Sequence, residues 1–85
     1  MSNIIKIGGD QVIICSVPET ISPFICLLLG FGSEKVLESL PFVPMTIDIA
    51  CNRALTLAKG YGAGVTFELW TGGKRVAHLM PPAAP

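Results

Sequence analysis

Apolar positions follow three rhythms along the chain, and each rhythm predicts a different element. From Thr46 to Lys59, the residues Ile47, Ala50, Cys51, Ala54, Leu55 and Ala58 recur at steps of three and four. That spacing lines one face of an α-helix with small apolar groups, which let a helix backbone lie close against a sheet. Thr46 suits the N-cap, Asp48 the positive end of the helix dipole, Lys59 the negative end and Gly60 the C-cap. This helix is expected to be the centre of the fold.

The second rhythm is alternation. The runs IIKI and QVIICSV flank Gly8-Gly9-Asp10, and VTFELW and KRVAHLM flank Gly72-Gly73, so the sequence predicts one β-hairpin at each end of the chain. For the first hairpin a Gly9-Asp10 turn is preferred, pairing Ile7 with Val12 and Ile5 with Ile14, because a Gly8-Gly9 turn sets Asp10 against Ile7 on the apolar face. For the second, a Gly72-Gly73 turn pairs Leu69 with Val76, Phe67 with His78 and Val65 with Met80 on one side. Trp70 then faces Arg75, Glu68 faces Ala77 and Thr66 faces Leu79 on the other.

The third rhythm is an unbroken apolar run, Phe24 to Leu29, preceded by Ser22-Pro23 and followed by Gly30. Ser22 can cap a helix and Pro23 fits its first position, so this run is expected to be a short helix, apolar all round and enclosed by the fold or by another chain. Ser33 can cap a second helical piece, Glu34 to Leu40, with Val36, Leu37 and Leu40 inward, until Pro41 and Pro44 impose an extended linker. The expected fold class is α+β, in the order β-β-α-(α)-α-β-β. It is an antiparallel four-stranded sheet of two hairpins with two or three helices on one face, in a single domain of residues 1–80 followed by an extended or disordered Pro/Ala-rich tail, 81–85.

Composition adds a pressure toward association. Hydrophobic residues make up 51% of the 85 positions and charged residues 14%, with a mean hydropathy of +0.62. A domain this short buries only roughly 60% of the surface its unfolded chain exposes, and a second copy is the natural cover for the rest. Phe24, Leu27, Leu28 and Phe31 are the candidate oligomer interface. Six basic residues balance six acidic ones, so no net field draws the chain to nucleic acid, which is not expected as its main partner. No apolar run reaches the roughly 20 residues of a membrane span, no basic segment introduces a signal sequence, and a cytoplasmic location is the expectation.

Candidate chemistry is sparse. Cys15, Cys26 and Cys51 have no C-x-x-C spacing and sit in apolar segments, as expected of buried reduced thiols. His78, the only histidine, reads as a sheet residue, and no metal or cofactor is expected. Gly60-Tyr61-Gly62-Ala63-Gly64 follows a helix and opens a strand, the reverse of a phosphate-binding loop. No base stands beside a nucleophile in any local motif and the acids are scattered singly, so the chain is not expected to be an enzyme. What stands out is the outer face of the second hairpin, where Trp70 meets Arg75, with Tyr61 and Lys74 as further aromatic and basic candidates. The expectation is a small self-associating module that binds another macromolecule, of the kind that serves as an accessory or inhibitor protein of phage or mobile elements. The alternative is a small-ligand binder, nucleotide-like or apolar, with its site at a subunit boundary formed by Tyr61, Trp70 and Arg75.

Overall fold

A computed structural model of the protein describes residues 3–18, 21–30, 35–62 and 64–80. It has six strands and one helix: β1 (Asn3–Ile7), β2 (Asp10–Ile14), β3 (Ser22–Gly30), β4 (Val36–Met45), α1 (Ile47–Tyr61), β5 (Val65–Thr71) and β6 (Lys74–Leu79). All six strands join one antiparallel sheet in the order β1-β2-β6-β5-β3-β4. The expected four-stranded sheet with two or three helices is therefore corrected. The segments at 23–29 and 36–40 are strands, and the expected extended linker is part of β4. The tail 81–85, Ser33 and Phe31 lie outside the described residues.

The helix at the centre is as its spacing predicts. Ala50, Cys51, Ala54, Leu55 and Ala58 are buried, and α1 lies mainly across β5, with β3 and β4 beside it. Thr46 is the N-cap, its hydroxyl accepting from the Ile49 N–H at 3.5 Å. At the other end the helix runs through Gly60 to Tyr61, and Gly62 closes it by donating its N–H to the Ala58 carbonyl at 3.3 Å. The covered sheet face supplies the rest of the core, including Val12, Phe24, Cys26, Leu28, Phe67, Leu69 and Val76, each at most 1% exposed.

The first hairpin turns at Gly8-Gly9 rather than at Gly9-Asp10. Ile7 pairs with Asp10, Ile5 with Val12 and Asn3 with Ile14. Asp10 is tolerated there because the Lys59 ammonium, from the last turns of α1, reaches its Oδ2 at 2.6 Å and ties the hairpin to the helix. Lys59 is largely in water, so the pair is worth at most about 1 kcal/mol. The slide relative to expectation is two residues, so the faces are kept: Ile5, Ile7, Val12 and Ile14 still point to the helix side.

The second hairpin departs by one residue, and that changes more. Gly72 and Gly73 take φ of 59° and 79°, the left-handed pair of a two-residue hairpin turn, and Trp70 pairs with Arg75 as expected. The register then shifts, so that Leu69 pairs with Ala77 and Glu68 with His78, leaving Val76 as a bulge. A one-residue shift exchanges faces. Leu79 accordingly enters the core, and His78, expected to face Phe67, turns to the side of Trp70. The bulged Val76 carbonyl accepts both the Cys15 and Ser16 N–H groups, at 2.7 and 3.3 Å, and so holds the end of β2.

Both edges of the sheet are obstructed. The β4 edge carries Pro41 and Pro44 and two bulges: Val43 and Pro44 stand against Pro23 alone, and Leu37 is extra between the Glu38 and Val36 pairs. The β1 edge is five residues long and carries Lys6. Short, bulged, charged or proline-bearing edges resist strand addition by another chain.

Candidate functional site

The helix covers one face of the sheet, and among the described residues no helix or strand covers the other, the open face. Strand alternation fixes its members. β3 contributes Ile25, Leu27 and Leu29, since Phe24, Cys26 and Leu28 point to the core. β5 contributes Thr66, Glu68 and Trp70, β6 contributes Arg75 and His78, and β2 contributes Ile13. Across the sheet Ile13, His78, Glu68 and Leu27 form one row, and Arg75, Trp70 and Ile25 form the next. Ile25 is 42% exposed and Ile4, opposite Ile13 on β1, is 54% exposed.

Glu68 joins the polar members of this face. Its Oε1 accepts from the Trp70 indole N–H at 3.0 Å, and its Oε2 accepts from Arg75 Nη1 at 3.2 Å. The expected direct Trp70–Arg75 pair is thus a three-residue chain held by one carboxylate, which fixes the indole and neutralises the guanidinium. Alternation from the turn already places Glu68 near Trp70 and Arg75 on this side, but opposite Ala77 and outside the expected binding residues. The i, i+2 spacing of Glu68 and Trp70 on one strand is the signal that connects them.

The other sequence candidates are dispersed. Lys74 is exposed beside the Gly72-Gly73 turn. Tyr61, 50% exposed, ends α1 beyond the start of β5, whereas Trp70 lies near the end of β5, about 17 Å further along the strand and on the opposite face. Tyr61, Trp70 and Arg75 therefore do not converge. Of the described candidates for an oligomer interface, Phe24 and Leu28 are buried beneath the helix at 1% exposure and Leu27 belongs to the open face; Phe31 lies outside the described residues. A shallow groove at the turn end of the sheet runs between Trp70, Ile25, Pro41 and the glycines of the turn.

His78 is the titratable group at the centre of the open face. Burial and the Arg75 charge hold its pKa below the ordinary 6.5, against smaller opposing effects from the Leu79 backbone and Glu68. The folded chain therefore favours neutral imidazole more than the unfolded chain does. Well above pH 6.5 both states are neutral and nothing changes with pH. As pH falls through 6.5 the unfolded state gains protons first, so stability declines until the folded pKa is passed. The urea midpoint is expected to fall between pH 7.5 and 5.5, and to fall less in His78→Gln; equal slopes in the two proteins would remove His78 as the cause.

The thiols are free. Burial pushes Cys26 up to about 11 and, with the Asp48 charge adding to it, Cys51 up to about 12. Cys15 is only partly buried. A thiol reagent at pH 8 is expected to label Cys15 in the native protein and the other two only on denaturation; fast native labelling of Cys51 would contradict this packing.

Among the described residues, no group of three or more His, Cys, Asp or Glu side chains is placed to hold a metal ion. Nor is any helix among them long and apolar enough to cross a membrane. Comparison with known proteins finds no matching family model, no similar curated protein and no similar solved structure.

Proposed function

We propose that this chain is a non-enzymatic binding module whose working surface is the open face of its sheet, where it associates with another protein chain. The observation that supports this reading is the Trp70–Glu68–Arg75 chain, set among Ile13, Ile25, Leu27 and Leu29 on a face the helix leaves uncovered. Trp and Arg are the types most enriched at the energetic centres of interfaces, and an indole held by a hydrogen bond loses less freedom on binding. Contiguous exposed apolar surface of this kind is the usual mark of a contact site. The small-ligand reading sets Tyr61, Trp70 and Arg75 at a subunit boundary; within one chain Tyr61 stands apart from the other two, so such a site would draw Tyr61 from a second copy.

The test is capture on the immobilised chain, with lysate from the cells that make it. Wild type is expected to retain protein that Trp70→Ala and Leu27→Lys fail to retain, with folding of each variant checked by circular dichroism. Equal retention by wild type and both variants would overturn the assignment of this face.

A further inference from the structure

The geometry points to a second copy of this chain as the occupant of the open face, packed sheet to sheet about a two-fold axis that runs along the strands between β5 and β6. The inference rests on the reading of that face as a binding surface and names its partner. Its first support is the sheet order. Rotation about such an axis lays β6 of one copy over β5 of the other, and β2 over β3. Because residues in one row keep their level along the axis, Ile13 of one copy meets Leu27 of the other, and His78 meets Glu68. In the next row Arg75 meets Trp70. The face is self-complementary in both apolar and charged groups, as an isologous interface requires.

Charge and area agree with this arrangement. Glu68 and Arg75 already pair within each chain, so closing the interface buries no lone charge from them. Six strands about 4.8 Å apart, paired over three to seven residues and five on average, at about 3.3 Å each, give a footprint of roughly 500 Å² before side-chain relief. Relief brings this toward the roughly 800 Å² per partner of a standard stable interface. The competing route to self-association, strand addition at an edge, is obstructed by the prolines and bulges of β4 and by the short, lysine-bearing β1. Face packing at about 10 Å separation is the route left open.

The experiment is sedimentation of the purified chain at micromolar concentration, with two single variants and their mixture. Wild type is expected to be a dimer. Leu27→Lys and Ile13→Glu are each expected to weaken it at least about a hundredfold while remaining folded. Mixing the two variants is expected to restore a dimer. In the mixed pair the introduced lysine of one chain meets the introduced glutamate of the other, and the native Ile13–Leu27 contact forms on the far side of the axis.

A monomeric wild type overturns the second-copy assignment, and the capture experiment then reports separately whether the face serves a different chain. A dimer that Leu27→Lys leaves intact likewise overturns the use of this face for self-association, and the capture experiment again reports separately on the reading on which the inference rests. A mixture that stays monomeric when both variants are folded overturns the axis. Should either charged variant unfold, Ile13→Cys and Leu27→Cys chains in a Cys15→Ser background decide the question: a disulfide linking the two mixed chains supports the axis, and its absence in a wild-type-like dimer overturns it.

Discussion

Phe67→Ala is expected to remove a large part of the chain's folding stability, about 3–5 kcal/mol. Phe67 is fully buried in β5, beneath the helix and between the core residues of β3 and β6. Truncating a buried phenylalanine costs about 3–5 kcal/mol, the lost transfer energy plus the cavity left behind. A domain of this size holds roughly 4–13 kcal/mol in total, so the loss takes a large part of it. The control is Ile49→Ala on the outer side of α1, where the side chain is 53% exposed and the loss is expected to be about 1 kcal/mol or less. Urea denaturation of the two variants checks this directly. A Phe67→Ala variant as stable as Ile49→Ala would mean that the helix does not cover β5 in the way described.

The second large effect comes from the opposite change. Ala54 is fully buried in the middle of α1, where the helix lies close against β5. Ala54→Leu adds a bulky side chain at a position with no exposure, and overpacking of a buried site costs about 1–3 kcal/mol. For a domain of this length that corresponds to a fall in Tm of roughly 5–20 °C. The same substitution at Thr56, on the exposed side of the helix, is expected to be neutral within about 0.5 kcal/mol. Thermal denaturation separates the two, and an unchanged Tm for Ala54→Leu would show that the small-residue stripe is not a close-contact surface.

The parts of the fold legible in the sequence are those where one local rule decides. Small residues at steps of three and four mark α1 and its buried side, and Gly72-Gly73 between alternating runs marks the second hairpin. The segment Phe24 to Leu29 misleads because it has no period. A strand in the interior of a sheet, with the core on one side and an apolar open face on the other, presents the same uninterrupted run as a buried helix. Pro41 and Pro44 mislead in a different way. They exclude an interior strand, but an edge strand with a bulge accepts them, and whether β4 lies at an edge depends on the whole sheet order.

The candidate site is legible in the same uneven way. Trp70 opposite Arg75 follows from the turn and survives, because the two lie on the turn side of the bulge. Everything beyond Val76 is displaced by one residue, which is why Glu68, His78 and Leu27 share a row that alternation from the turn does not give. A bulge is set by what the neighbouring strand needs. Here β2 takes the Val76 carbonyl twice, a contact between residues some sixty positions apart in sequence.

That contact has a consequence for how the chain assembles. β2 is joined to the sheet through β6, so the hairpin of β1 and β2 has no neighbour in the sheet until β6 has been synthesised. Loops of this length close slowly compared with hairpins, and synthesis at roughly 5–20 residues per second adds several seconds of waiting. During that interval Val12 and Ile14, both sealed in the finished core, stand on a strand with one edge unpaired. The hairpin of β1 and β2 thus waits longer for its neighbour than any other strand pair described, exposed meanwhile to chaperones, proteases and other copies of itself.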